Sequence, residues 1–202
     1  TVIPNGVELC SDPIREPASQ DVLLIARHAR NKNISLALRG FAKLLALEPD
    51  WLGNLVVVGG RGRDSSKLLR LERRLELTGR VEWLSYVSED ALGRKLRSSF
   101  CLLSTSLMEG FDYPLLEAQA SGLPTLASRI PVHTEFHDGV SLIFDLEDGG
   151  VSLAGELQQL ACDKSLWQHL SLAGLTHAKH FSLKRQTASI AELLTDMNAP
   201  WC

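Results

Sequence analysis

The chain has 202 residues, 45% of them hydrophobic and 22% charged, with a formal net charge of −3. These are values for a globular domain with a full core, and the slight negative charge argues against an electrostatic nucleic-acid binder. No apolar run approaches the roughly 20 residues that span a bilayer, and Cys10, Cys101, Cys162 and Cys202 lack CxxC spacing. A reducing cytoplasm is therefore expected rather than a secreted disulfide scaffold. No signal-peptide pattern opens the sequence, which starts at Thr1 without an initiator methionine. A longer parent polypeptide is expected.

In chain order, residues 10–20 are polar and contain Pro13 and Pro17, which predicts a surface lead-in. The run 22–26 (VLLIA) predicts a first strand. Residues 33–48 follow as a helix, with Ile34, Leu38, Phe41 and Leu45 on one stripe and Pro49 as its stop. NLVVVGG (54–60) reads as a buried strand, 65–77 as a charged helix, and RVEWL (80–84) as a shorter strand. Ser88 is placed to cap the next helix, with Glu89 and Asp90 in its first turn. FCLLS (100–104) is a fourth strand, 114–121 a helix broken by Gly122 and Pro124, TLAS (125–128) a fifth strand and SLIFD (141–145) a sixth. Three helices are expected from Val151 to Met197, divided near Asp163 and Ser182.

Continuous apolar strands separated by helices predict a parallel sheet covered on both faces. The fold class is α/β, a doubly wound six-stranded Rossmann-like domain with its crevice at the C-terminal ends of the strands. Arg27 follows the first strand, Gly59 and Gly60 the second, Glu109 the fourth and Ser128 the fifth.

Three segments near that edge bear on function. In EGFDYPLLE (109–117), Pro114 suits a first helical position. The N–H groups of Leu115 and Leu116 then lie at a helix end that favours an anion. Glu109 and Glu117 offer carboxylates that accept hydrogen bonds from polyol hydroxyls. A sugar-phosphate or nucleotide site and a helix start stabilised by acids are equally good readings of this segment alone. In RHARNKN, Arg27 and Lys32 can neutralise a diphosphate, the first as a forked donor and the second as a point charge; an exposed basic loop is the alternative. VVVGGRGRDSS lacks the GK[ST] of a P-loop and the third glycine of GxGxxG. It is read as a tight turn that lets a ligand approach the backbone. The six histidines form no HExxH, and Glu135 between His133 and His137 completes no metal motif, so neither a metal nor a resident cofactor is expected. A hydrolase triad is unsupported because no GxSxG elbow is present.

Together these residues resemble the C-terminal, donor-binding domain of a family 4 (group 1) glycosyltransferase of GT-B architecture. PNGVE (4–8) resembles the segment that opens that domain, and ARHARNKN (26–33) its GRLxxxKN phosphate loop, with Ala26 in place of Gly. LVVVGGRG resembles its strand and glycine turn. EGFDYPLLEAQASGLPTLAS (109–128) resembles EGFGLPLLEAMACGxPVVAS, and IPVHTE (130–135) the stretch that ends in Glu. The match runs in order along nearly the whole chain.

The resemblance implies transfer of a sugar, with retention, from a UDP- or GDP-linked donor, without a metal. Arg27 and Lys32 would bind the diphosphate and stabilise the leaving group. Glu109 would meet the donor sugar and Glu117 the ribose. Phe111, Asp112, Tyr113, Pro114 and Leu115 would line the pyrophosphate and sugar pocket, with Gly59 and Gly60 nearby and the base against Ser85 to Val87. Two departures stand out: Asp112 replaces the Gly of EGFG, bringing a negative charge toward the diphosphate, and Ser85 replaces a Gly near the base.

A GT-B enzyme has two such domains. The resemblance therefore implies a partner domain on the N-terminal side that carries the acceptor site, and catalysis is not expected of residues 1–202 alone. The final helix, about 182–197, would pack toward that domain, and any peripheral membrane association would reside there. Two other readings remain: a degenerate, non-catalytic binding module, and a nucleotide-sugar epimerase or sugar-phosphate synthase of the same architecture.

Overall fold

The structure, a computed structural model, describes residues 3–10, 13 and 16–197. Ser11, Asp12, Ile14 and Arg15 of the expected lead-in, and Cys202, lie outside the described residues. Six short strands, β1 (Val22–Ile25), β2 (Leu55–Val58), β3 (Val81–Leu84), β4 (Cys101–Ser104), β5 (Thr125–Ser128) and β6 (Leu142–Phe144), form one sheet. All pairs are parallel and the order is β3-β2-β1-β4-β5-β6. The order reverses between β1 and β4, and a crevice opens at such a switch point outside the carboxyl ends of the strands.

Between the strands run α1 (Ile34–Leu47), α2 (Ser65–Arg74), α3 (Glu89–Ser98), α4 (Tyr113–Ala120) and α5 (Pro131–His137); α6 (Val151–Cys162), α7 (Lys164–His180) and α8 (Leu183–Met197) follow β6. Successive strand residues face opposite layers, as the two-residue strand period requires. Val22 and Leu24 pack with Leu38, Phe41, Leu157 and Trp167 on one face. Leu23, Val56 and Leu102 pack with Leu96, Leu115 and Ala118 on the other. Burying each such Leu or Val stabilises the fold by about 1.5–3 kcal/mol, and β1 and β2 read as unbroken apolar runs accordingly.

Helix ends follow local chemistry. Ser88 Oγ accepts from Ala91 N at 3.3 Å and starts α3, and Asp163 accepts from Ser165 N and Leu166 N to start α7. The helix α5, with Pro131 in its first turn, is an addition to the sequence reading, which used 130–135 only as a motif. Buried Gln119 ties α4 to its neighbours: its amide nitrogen meets Thr125 Oγ1, His137 Nδ1 and Ser141 Oγ at 3.1–3.3 Å, and Oε1 meets His177 Nδ1 at 2.9 Å. The start of the chain is stitched to the end of α7, with Val7 N donating to Phe181 O and Leu183 N to Val7 O.

Candidate functional site

Two loops meet at the switch point. After β1, a short 3-10 turn over Arg30–Lys32 leads to Asn33, whose φ of 46° lies in the left-handed region that Asn tolerates. After β4, residues 105–112 cross toward it. Leu107 N donates to Asn31 O at 2.7 Å and Thr105 Oγ1 to Lys32 O at 2.9 Å. Lys32 Nζ donates to Glu109 Oε1, and Ser106 Oγ donates to the same oxygen at 2.5 Å. The structure thus joins the cation expected for the diphosphate to the acid expected for the sugar, a half-buried pair at the mouth of the crevice. Arg27 is exposed at the same edge, with no ion-pair partner among the described residues.

Asp112 enters α4 in the left-handed region, with φ 61° and ψ 66°, which aspartate tolerates better than most residues. Its side chain turns inward and is 6% exposed. Oδ2 accepts from Ser104 Oγ at 2.5 Å and from His133 Nε2 at 2.9 Å. Burial alone would raise this carboxyl. The hydrogen bonds from His133 and Ser104, and the charges of His133 and Lys32, outweigh it and hold the group below the ordinary aspartate range. His133 Nδ1 meets Ser128 O at 2.8 Å, and Ser128 Oγ donates to Ser106 O at 2.6 Å. A continuous chain of contacts therefore runs from α5 through β5 to Glu109 and Lys32. The sequence reading gave His133, Ser104 and Ser106 no role.

The rest of EGFDYPLLE divides between crevice and core. Pro114, with Ala26, Lys32, Ser104, Ser106 and Asp112, lines a small cavity of about 10 Å³ at the strand ends. The helix begins at Tyr113, one residue before the expected Pro114. Leu115 is fully buried in the core, and its N–H donates to Asp112 O at 3.1 Å. In this conformation it offers neither side chain nor free N–H to a ligand, because the entering turn already uses that donor. Phe111 joins an aromatic cluster with Tyr113, Phe136 and Phe181 at centroid distances of 5.3–5.9 Å, which gives its ring a packing role. Tyr113 is 43% exposed.

Glu117 is half-buried, and its carboxylate has no hydrogen-bond or ion-pair partner among the described residues. Burial raises it above the ordinary glutamate range. With Glu89, Leu92 and Ser121 it lines a groove of about 600 Å³ beside residues 7–10. Ser85 and Tyr86 are exposed in the β3–α3 loop, whereas Val87 packs against the core.

A Cβ on Gly59 would lie 2.1 Å from Ala26 O, so Gly59 permits the close approach of two strand ends. Gly60 has open space around its Cα, and its carbonyl accepts from His28 N at 3.0 Å. Among the described residues, no group of three or more His, Cys, Asp or Glu is placed to hold a metal ion, and no helix is long and apolar enough to cross a membrane.

The sheet order and its charged switch point define a Rossmann-like domain of the GT-B type. A family model described as "Glycosyl transferases group 1" matches residues 19–163. The chain is 30% identical over 166 residues to the O-antigen chain mannosyltransferase B of Escherichia coli, covering 82% of this chain and 43% of the relative. It is 27% identical over 218 residues to the D-inositol 3-phosphate glycosyltransferase of Nocardiopsis dassonvillei, covering 99% of this chain and 51% of that protein. Among solved structures, the pneumococcal O-GlcNAc transferase GtfA, in complex with UDP and GlcNAc, superposes with a TM-score of 0.81 at 17% identity, over 96% of this chain and 39% of that one. The chain belongs to the group 1 glycosyltransferases, and it spans about half the length of these two curated relatives.

Proposed function

We propose that residues 1–202 form the donor-binding half of a retaining glycosyltransferase, taking a UDP- or GDP-linked sugar. The observation that carries this reading is the convergence of Lys32 and Glu109 at the switch point, with Arg27 open to solvent and a Glu117 on α4 whose carboxylate has no partner among the described residues. A diphosphate placed there would meet Arg27 as a forked donor and Lys32 as a point charge. Both would neutralise the charge that develops on the leaving nucleotide diphosphate as the glycosidic bond breaks. Glu109, released from or shared with Lys32, would accept from donor-sugar hydroxyls, and Glu117 from the ribose. Neither role calls for a metal ion or resident cofactor. The UDP in the GtfA structure supports the choice of nucleotide class.

The acceptor would bind to an N-terminal domain of the same protein, toward which α8 would present Leu183, Ile190 and Leu194, all exposed. Catalysis would require both halves. The proposed compartment is the cytoplasm, with any membrane contact made outside residues 1–202. The degenerate-module reading drew on Asp112, and the inward turn of that carboxylate weakens it. Calorimetric titration with UDP, GDP and ADP tests the proposal. Saturable binding of UDP or GDP is expected, weakened by Arg27→Ala and by Glu117→Ala. Folded protein that binds none of the three would overturn it.

A further inference from the structure

We propose that Asp112 and His133 form a buried charge pair that does the work of a glycine at the crevice mouth: Asp112 sets the left-handed turn into α4, and His133 cancels its charge so that a diphosphate can approach. This rests on the donor-site reading above and assigns both as positioning residues, not catalytic ones.

The turn at Asp112, with φ 61° and ψ 66°, is one that glycine enters without steric cost and aspartate tolerates better than most residues. Aspartate brings a charge that glycine does not. Asp112 lines, with Lys32 and Pro114, a small cavity of about 10 Å³ at the strand ends, so an uncompensated anion there would repel a diphosphate brought to Lys32 and compete for that lysine. The structure supplies a compensation. His133 is fully buried, and both of its ring nitrogens face acceptors: Nε2 the Asp112 carboxylate at 2.9 Å, and Nδ1 the carbonyl of Ser128 at 2.8 Å. A carbonyl and a carboxylate can only accept, so a ring carrying a proton on each nitrogen satisfies both. Such a ring is a cation beside an anion, and the pair is neutral overall.

The surroundings agree. His137, whose ring centroid lies 6.2 Å from that of His133, is pushed down to about 4 by burial first and then by the charges of His177 and His133. It is therefore neutral and does not compete for the aspartate. Ser104 gives Asp112 a second donor, so two bonds, both to Oδ2, hold the carboxylate turned inward. A buried ion pair needs further hydrogen bonds beside the partner charge, and here Ser104 supplies one to the aspartate, on Oδ2, and the Ser128 carbonyl takes one from the imidazole.

A charge-swap cycle read by nucleotide binding tests the pair. His133→Gln keeps a side-chain donor and similar bulk but removes the positive charge, leaving a net negative site. UDP or GDP affinity at pH 7.5 should fall about tenfold, the order of one strong charge interaction. Asp112→Asn added to His133→Gln makes a neutral amide pair and should return affinity to within about threefold of the parent chain. The pair Asp112→Gly with His133→Ala should do the same, even if it melts at a lower temperature. A purely structural role predicts that each double variant binds no better than its single. Equal binding by His133→Gln and the parent chain, or no recovery in both double variants, overturns the proposal. Absence of nucleotide binding by the folded parent chain overturns the donor-site reading, and this proposal with it.

Discussion

Lys32 Nζ is bonded to Glu109 Oε1 across a sequence separation of 77 residues, and that contact joins the two loops at the switch point of the sheet. The glutamate oxygen is also held by Ser106 Oγ at 2.5 Å, so Lys32 shares its acceptor. Glu109 is thereby held from both loops, by Lys32 and by Ser106.

Removal of the ammonium should distinguish diphosphates from monophosphates. Lys32→Ala is expected to weaken UDP or GDP binding by about tenfold to a hundredfold, the range for a hydrogen bond to a charged group. Affinity for the corresponding monophosphate should change far less. Parallel calorimetric titrations with both nucleotides check the ratio, and an equal loss for both would place the lysine away from the second phosphate.

The two adjacent glycines should behave differently. Gly59→Ala forces a Cβ to within 2.1 Å of the Ala26 carbonyl oxygen, and backbone cannot yield as a side chain can. A loss of about 1–3 kcal/mol in denaturant unfolding is expected, the usual cost of overpacking. Gly60→Ala meets nothing within 4 Å and should stay within about 0.5 kcal/mol of the parent chain, as surface substitutions do. Equal effects would contradict the assignment of Gly59 to strand-end packing.

Glu117 predicts a pH dependence. Burial raises its carboxyl above the ordinary value, so the charged form is the disfavoured one in the fold. As pH falls through that raised value the group takes up a proton more readily folded than unfolded, and its contribution to stability rises. Binding runs the opposite way, since ribose hydroxyls need the carboxylate as acceptor. UDP or GDP affinity should decline on acidification earlier than for an ordinary glutamate. Glu117→Gln should bind more weakly at neutral pH and lose that acid-side decline. Thermal melts and titrations across the weakly acidic range check both signs.

The parallel sheet was legible chiefly because its central strands are buried on both faces, and Val22–Ile25 and Leu55–Val58 carry no polar residue. The expected site residues came from motifs at strand ends, which is where this topology gathers them. Asp112, by contrast, was read as an awkward charge because its answer, His133, lies 21 residues away on a seven-residue helix. The proline at the start of that helix was the one local signal for it. Leu115 illustrates the converse. Its N–H was assigned to a ligand from helix-end geometry, but a left-handed residue before the helix presents its own carbonyl to that donor. The packing of Gly59 against Ala26 was not legible either, because the closeness of that neighbouring strand end is a property of the sheet and not of the local sequence.

The most direct test of the central claim is a crystal structure of the chain grown with UDP or GDP. The diphosphate is expected between Arg27 and Lys32 at the start of α4, with the ribose on Glu117 and Asp112 still turned toward His133. A nucleotide bound elsewhere, such as the surface groove lined by His169, Leu172 and His180 on α7, with the Lys32–Glu109 cleft untouched, would contradict the account.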